Sequence, residues 1–316
     1  MKRADFLKKS VMAAAGGFLA GPLRATAMPA RPAGGSVTVL YTNDLHSRID
    51  PFPENSLHYA GQGGFSRRST MIRRIRAHSE QTLLLDAGDL LQGTPWFQRF
   101  GGEVEFELMS RMGYDAISIG EADLDGGMYR YAENALRSGI PVLCANYHAE
   151  GTPLAPLLHD SIVRDFGELR VGIFGLGIDL SGKTDPEISR AIRYEEPAGA
   201  ADRVIRRLRE EQECNYIICL SHLGYRYEDK RIDDRKLASR VPGINLVIGG
   251  HTHTFLDHPE EILNPEGSRT WVTQMGHSGI RIGRIDLELT DEGVVREHVS
   301  RYYTVGPEPA AGKSAG

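Results

Sequence analysis

The sequence predicts a layered α/β fold, because short apolar runs of strand type alternate along the chain with stretches of helical periodicity. The apolar runs are "VTVLY" at 37, "TLLLD" at 82, "AISI" at 116, "PVLCANY" at 141, "RVGIFGLG" at 170, "NYIICL" at 215 and "INLVIGG" at 244. Helical patterns cover residues 65–77, 103–111, 128–138 and 198–213. No internal repeat interrupts this alternation, so we expect one domain with largely buried sheets.

Composition divides the 316-residue chain into four predicted segments. Residues 1–27 join a basic start, "MKRADFLKKS", to an apolar run and then to "ATA" before Met28, a pattern typical of a cleaved export signal. Residues 28–36 form a Pro/Gly-rich linker, residues 37–306 the folded domain, and residues 307–316 a disordered tail.

The first segment also predicts where the protein resides. Its apolar run is much shorter than the ~20 residues that span a bilayer, so we expect no stable membrane anchor. The stretch "KRADFLKKS" is similar to a twin-arginine leader, except that Ala4 follows Arg3. We therefore expect export to the periplasm or cell envelope, by a route that the sequence leaves open.

Charge and cysteine content exclude some classes of function. The net charge is −5, with 25% charged residues, so no general attraction to nucleic acid is expected. The three cysteines cannot all pair, and two of them, Cys214 and Cys219, flank the apolar run "NYII". We expect Cys144, Cys214 and Cys219 to be free, buried thiols.

Acidic and imidazole side chains follow several of the predicted strands. The carboxyl ends of neighbouring strands in an α/β fold face one crevice, so residues far apart in the sequence can meet there. Any one of them could be a helix cap or a turn residue, but so many at strand ends favour a metal site. The candidate ligands are Asp44, His46, Asp89, His222, His251 and His253.

The segments "TNDLHSR", "DAGDLLQGT", "SHLG" and "GGHTH" resemble the motifs of the calcineurin-like metallophosphoesterases, and specifically of the amino-terminal domain of bacterial 5′-nucleotidases. The resemblance covers nearly the whole chain after the export signal and implies a four-layer αββα sandwich. It also implies two divalent metal ions. One would be held by Asp44, His46, Asp89 and His253, and the other by Asp89, His222 and His251.

The chemistry of the side chains agrees with that arrangement. One carboxylate can bridge two cations roughly 3.5–4 Å apart, the spacing used for in-line attack on phosphorus, and Asp89 is the natural bridge. Mixed imidazole and carboxylate ligation suits Zn²⁺, Mn²⁺ or Fe²⁺ and argues against Ca²⁺ or Mg²⁺ alone.

One motif of the family is altered in this chain. The family pattern G-N-H-(D/E)-x-D corresponds to "GEADLD", in which Glu121 stands in place of the metal-binding Asn and Ala122 in place of the catalytic His. We expect Glu121 to be a metal ligand through its carboxylate. Asp125, the residue that orients the histidine in the family, is the remaining catalytic candidate, and His277 in "QMGHSG" is either a substitute imidazole or a polar loop residue.

The resemblance implies an exported phosphatase that hydrolyses phosphomonoesters, nucleotides above all, with a metal-activated hydroxide as nucleophile. Loss of the histidine implies a slow enzyme or, alternatively, a non-catalytic pseudoenzyme that binds metal or ligand. The family's base-stacking carboxy-terminal domain has no counterpart in the sequence, so we expect either a separate protein of that type as a partner or a substrate that is not a nucleotide. Trp96 and Phe97 could contact a base or pack in the core.

Overall fold

The computed structural model describes residues 35–290 and 294–307. The predicted export signal, residues 28–34 of the predicted linker and residues 308–316 of the predicted tail lie outside this part of the chain. No helix within the described ranges combines the length and the apolar character that crossing a bilayer requires.

The strands are short and follow one another along the described chain. In chain order they are β1 (Ser36–Thr42), β2 (Gln81–Asp86), β3 (Ala116–Ser118), β4 (Val142–Leu143), β5 (Tyr147–His148), β6 (Leu158–His159), β7 (Ser161–Phe166), β8 (Leu169–Leu176), β9 (Arg193–Tyr194), β10 (Tyr216–Ser221), β11 (Leu246–Gly249), β12 (Glu260–Leu263), β13 (Arg269–Thr273), β14 (Arg281–Leu289) and β15 (Val295–Thr304).

The helices lie between the strands. They are α1 (Phe65–Arg76), α2 (Pro95–Phe100), α3 (Glu103–Met112), α4 (Met128–Ser138), α5 (Pro186–Ala191), α6 (Pro197–Arg206) and α7 (Asp234–Arg240). A 3₁₀ turn covers Ala122–Leu124, and a π-helical turn, Arg207–Glu211, continues α6.

The strands form two large sheets. The first has seven strands in the order β15-β14-β1-β2-β3-β4-β6, and the second has six in the order β12-β13-β11-β10-β8-β7. Strands β1, β2, β3, β4 and β6 pair in parallel, as do β8, β10, β11 and β13, whereas β14, β15, β12 and β7 pair antiparallel. Strands β1, β2, β3, β4, β8, β10 and β11 are largely buried on both faces, which explains why they read as continuous apolar runs.

The two sheets pack face to face. Along β1, Val39 and Tyr41 join the core between the sheets, where they meet residues such as Ile218 of β10. Leu40, which points the other way because side chains alternate along a strand, joins the core beneath α1, α3 and α4. A third core, which includes Phe174, lies between the second sheet and helices α6 and α7. These layers confirm the four-layer αββα sandwich.

Each predicted apolar run overlaps a strand, and each helical pattern overlaps a helix. The sequence prediction missed α2, α5 and α7 and the peripheral strands β6, β7, β9, β12 and β13, since these elements are short or only partly buried. Cys144, Cys214 and Cys219 are free and buried, as expected.

The sheets approach each other closely at Gly175 of β8. A Cβ atom at this position would lie 2.0 Å from the carbonyl oxygen of Leu143 in β4, a strand of the other sheet. Gly175→Ala should therefore push the sheets apart and lower the free energy of unfolding by about 1–3 kcal/mol, the usual effect of overpacking. Urea unfolding measures this change.

Gly199→Ala is the matched control, because a Cβ atom there would meet only the Glu196 carboxylate, 4.0 Å away. Gly199 lies inside α6, where alanine is favoured over glycine by up to ~1 kcal/mol. The Gly199→Ala variant should therefore be as stable as the unchanged protein or slightly more stable. Equal stability of the two variants would contradict the close approach of the sheets.

Candidate metal centre

Both sheets contribute polar side chains to one place, at the carboxyl ends of their parallel strands. The first sheet supplies Asp44 and His46 after β1, Asp89 after β2, and Glu121 after β3. The second supplies His222 after β10, and His251 and His253 after β11. The predicted ligands thus come together from two sheets rather than from one.

Asp44, His46 and His253 form the first cluster. One ligand atom from each lies within 4.8 Å of the others. The Nε2 atoms of His46 and His253 are 2.9 Å apart, and Asp44 Oδ1 lies 3.9 Å from the former and 3.4 Å from the latter. Asp44 is fully buried, whereas the side chain of His253 is 41% exposed, so the cluster opens toward solvent on the His253 side.

Asp89, Glu121, His222 and His251 form the second cluster, which is also within 4.8 Å. Glu121 Oε1 lies 2.8 Å from His251 Nδ1, and Glu121 Oε2 lies 3.2 Å from His222 Nε2. The cluster is more enclosed than the first, because the His222 side chain is fully buried.

Asp89 lies between the two clusters. Its Oδ2 atom is 3.2 Å from His222 Nε2 in the second cluster and 4.0 Å from His46 Nε2 in the first. One carboxylate oxygen is therefore within reach of imidazoles on both sides, which is the position that a bridging ligand requires.

Hydrogen bonds from outside the clusters orient these ligands. His222 Nδ1 lies 2.7 Å from the carbonyl oxygen of Ala87, to which it donates when it carries the proton, and this leaves Nε2 free to bind a cation. The backbone N–H of Ala122 donates to Asp89 Oδ1 at 2.9 Å. The backbone N–H of His251 donates to Asp44 Oδ1 at 3.0 Å, which ties the two sheets together at the site.

Much of the backbone at the site is in the left-handed region, which side chains other than glycine rarely adopt. The φ angle is +49° at Asp44, +45° at His46, +54° at Asp89, +70° at His251 and +53° at His253. Each such residue costs of the order of 1–3 kcal/mol, so surrounding contacts must hold these turns. Strain of this kind concentrates at functional sites.

Three polar atoms of the second cluster are buried without a hydrogen-bond partner among the described residues: Glu121 Oε2, His222 Nε2 and His251 Nδ1. Buried polar atoms are normally paired, and these three face one another across a shared space. One carboxylate oxygen and two imidazole nitrogens that make no hydrogen bond are a donor set for a divalent cation. The residues present therefore fit a metal ion.

The charges of the site reinforce one another. Burial raises the pKa of the Glu121 carboxyl, but the neighbouring imidazoles of His222 and His251 outweigh this effect and hold the pKa well below its usual range. Burial lowers the pKa of His222, whereas the charge of Asp89 raises it, and the net pKa lies well above the ordinary value. Both shifts arise because the carboxylates and the imidazoles of this cluster stabilise one another's charged forms.

Gly120 is required by the close packing of these ligands. A Cβ atom at Gly120 would lie 2.0 Å from Asp89 Oδ1 and 2.6 Å from His222 Nε2. Any side chain there would displace ligands of the second cluster.

The altered motif "GEADLD" lies directly over the second cluster. Glu121 belongs to the cluster, and Ala122 is buried and offers only its backbone N–H. Asp125 is in neither cluster, and its Oδ2 accepts a hydrogen bond from Gln92 Nε2 at 2.6 Å. Burial raises the pKa of the Asp125 carboxyl, and the charges of Asp89 and Glu121 add to this increase.

Asp123 is a residue of this motif that the sequence analysis did not single out. Its buried carboxylate accepts backbone hydrogen bonds from Asp89 at 3.0 Å, from Leu91 at 3.0 Å and from Gly120 at 2.9 Å. It thereby fixes the loop after β2 to the loop after β3. Its place in the middle of the altered motif was the only signal for it in the sequence.

The other candidates lie in different surroundings. His277 is close to the first cluster, with its ring 5.1 Å from that of His253, and its Nδ1 lies 2.9 Å from Ser278 Oγ. Phe97 packs against the core beneath the helices. Trp96 donates a hydrogen bond to Asp50 and stacks on Phe100.

Known proteins are similar to this chain in sequence and in fold. Residues 37–255, which include every residue of the two clusters, match the model of the calcineurin-like phosphoesterase family. A snake venom 5′-nucleotidase of Gloydius brevicauda is 32% identical over 282 residues, which cover 82% of this chain and 46% of the relative. The human 5′-nucleotidase is 30% identical over 295 residues, which cover 84% of this chain and 49% of the relative.

Among solved structures, a 5′-nucleotidase precursor from Thermus thermophilus superposes with a TM-score of 0.77 and 28% identity, and the match covers 86% of this chain and 55% of that one. The chain thus spans about half the length of these relatives. The family uses divalent metals, in agreement with the clusters described above. The chain belongs to the calcineurin-like phosphoesterase family.

Proposed function

We propose that the protein is a phosphoesterase with two divalent metal ions, and that it hydrolyses phosphomonoesters, nucleotides above all. The observation that carries this proposal is the position of Asp89, whose Oδ2 lies 3.2 Å from His222 Nε2 in the second cluster and 4.0 Å from His46 Nε2 in the first. Nucleotides are the proposed substrates because the relatives named above are 5′-nucleotidases.

The clusters define which residues would hold the metals. Asp89 serves both sites. Asp44, His46 and His253 complete one, and Glu121, His222 and His251 complete the other. Divalent metals bound there would polarise a phosphoryl oxygen and lower the pKa of water. Imidazole and carboxylate ligands together favour Mn²⁺, Zn²⁺ or Fe²⁺.

The chain's own residues would bind and orient the ester. Glu121, as a carboxylate in place of an amide, adds a negative charge to the second cluster. Asp125, the residue that orients the catalytic histidine in the family, accepts a hydrogen bond from Gln92 instead. Since Ala122 has no group that can transfer a proton, we propose turnover that is slow for the family.

The bridging role of Asp89 can be tested through metal content. Asp89→Asn should weaken both metal sites, because the amide cannot bridge two cations as a carboxylate does. His46→Ala should weaken mainly the first site and leave about one Mn²⁺ per chain. We would load the purified chain with Mn²⁺, remove unbound ion and measure bound metal by plasma mass spectrometry.

Asp202→Asn and His159→Ala are matched controls, because both residues are exposed and belong to neither cluster. Both should retain the metal content of the unchanged protein. Equal losses in Asp89→Asn and His46→Ala would contradict the bridge. Fewer than one metal per unchanged chain, after loading with Mn²⁺ or Zn²⁺, would contradict the proposed function itself.

The altered motif predicts a gain of activity. The double change Glu121→Asn with Ala122→His restores an amide ligand and places an imidazole next to Asp125. The new imidazole can replace the exposed Gln92 as the hydrogen-bond partner of Asp125. One acid–base group typically raises the reaction rate ~10²–10⁴-fold. The rate of hydrolysis should therefore rise roughly 10²-fold, which corresponds to about 3 kcal/mol of transition-state stabilisation. Hydrolysis of an aryl phosphate and of a nucleoside monophosphate with Mn²⁺ measures the effect.

Glu121→Asn alone is the control for this gain, since it removes a charge without adding an imidazole. It should bind metal less tightly and gain no activity. If the double variant binds two metals and is no faster than the unchanged protein, the alternative of a non-catalytic binding protein replaces the enzyme.

We also propose export to the cell envelope, supported by the signal-like residues 1–27. Protein isolated from its native cell should begin near Met28 when its amino terminus is sequenced, whereas an intact Met1 would contradict cleavage. The same preparation tests the expected partner, a separate protein that resembles the carboxy-terminal domain of 5′-nucleotidases, because the partner should copurify with this chain.

A further inference from the structure

A cavity of about 350 Å³ adjoins the second cluster. This volume is within the range of about 300–1,000 Å³ that small-molecule sites occupy. Its walls come from the loop after β8, from β9 and the start of α6, and from the loop after β10, with the end of α7 at one side. His251, a member of the second cluster, is also one of its lining residues.

Basic residues dominate the charge of this cavity. Lys183, Lys230, Arg231 and Arg240 line it, against the acidic Asp179 and Glu196. Among the described residues, the side chains of Lys183, Lys230 and Arg240 form no hydrogen bond and no ion pair. The cavity therefore holds positive charge that the protein does not neutralise.

The two acidic residues are already engaged in local structure. Asp179 Oδ1 accepts the backbone N–H of Ser181 at 2.9 Å, and Glu196 Oε2 accepts that of Gly199 at 3.0 Å, where it caps α6. Neither forms an ion pair with a lysine or arginine of the cavity.

The loop between β10 and α7, which carries Lys230 and Arg231, is held in place by hydrogen bonds. Lys236 Nζ donates hydrogen bonds to the carbonyl oxygens of Tyr227 at 2.8 Å and Arg231 at 2.9 Å, and to Asp233 at 2.6 Å. The Arg231 guanidinium lies 4.1 Å from the centre of the Tyr227 ring, and Tyr227 donates its hydroxyl proton to the carbonyl of Leu223. A preorganised loop loses less entropy when it binds an anion.

The position of the cavity links it to the metal clusters. Leu223, which lines the cavity, directly follows His222 in the chain. His251 also lines the cavity, and its Nδ1 lies 2.8 Å from Glu121 Oε1. The cavity therefore borders the second cluster at His251, and one ligand that spans both would pass this residue.

From this charge and position we infer that the cavity is a subsite for a second phosphate of the substrate, as in a nucleoside diphosphate, while the first lies at the metal clusters. Lysine and arginine are the side chains that recognise phosphate. Tyr227 and the apolar Leu223 form a wall that suits the organic part of such a molecule. This inference rests on the proposed function, since it assumes that the first phosphate binds at the clusters.

The test compares two ligands that the protein cannot hydrolyse, inorganic phosphate and methylenediphosphonate, by calorimetric titration of the Mn²⁺-loaded chain. The variant is Lys230→Gln with Arg240→Gln. Its control, Arg206→Gln with Arg296→Gln, removes the same charge from exposed residues outside the cavity. We expect the cavity variant to bind the diphosphonate about tenfold more weakly and phosphate with unchanged affinity, while the control binds both as the unchanged chain does.

Each other outcome has a definite meaning. Equal diphosphonate affinity in the unchanged chain and the cavity variant would overturn the subsite, and so would an equal loss for phosphate, which would indicate a general charge effect. A second bound phosphate that only the cavity variant loses would indicate a site for a free anion instead. If neither ligand binds the unchanged chain, the subsite is likewise overturned. Hydrolysis of an aryl phosphate, measured in parallel, decides the proposed function separately.

Discussion

The carboxylate of Asp89 sets the main constraint on this structure, because it must face imidazoles that belong to both sheets. His222 Nε2 and His46 Nε2 lie 3.2 Å and 4.0 Å from its Oδ2, so a small shift of one sheet against the other would open one side of the site. The sheets are held where they touch, at Gly175 and Leu143, and again at the site itself, through the hydrogen bond from the His251 N–H to Asp44. The site therefore keeps its geometry only while the two sheets keep their packing against each other.

The loops that meet this requirement are strained, and hydrogen bonds between them compensate. Asp44, His46 and Asp89 have positive φ angles, yet Asp44 N donates to the Gly88 carbonyl at 2.9 Å and His46 N to the Asp89 carbonyl at 3.0 Å. Asp123 fastens the Asp89 loop from the other side with both carboxylate oxygens. Each loop would relax alone, but together they lock one another, so loss of one anchor should affect ligands that it never touches.

The sequence predicts the parts of this arrangement that depend on the pattern of neighbouring residues along the chain. Buried parallel strands read as apolar runs, and acids and histidines directly after them lie close together, as Asp44 and His251 do. The assignment of strands to two sheets is a matter of pairing between distant segments, which no local pattern encodes. For the same reason the sequence did not reveal the clamp formed by Asp123, or the contact between the rings of His277 and His253. The edge strand β12, with its mixed sequence "EEIL", lacks the apolar pattern altogether.

The altered motif and the basic cavity have opposite electrostatic effects on the same cluster. Replacing an amide by Glu121 adds a negative charge, and Ala122 removes a group that could carry a positive one, so the second cluster repels a phosphate dianion more strongly than its counterpart in the family would. Lys230 and Arg240 line a cavity that shares His251 with this cluster. A cleft focuses the field of the charges that line it. In the subsite proposed above, these basic residues would attract the anion that the altered motif repels, so the cavity and the motif act in opposite directions on the same substrate.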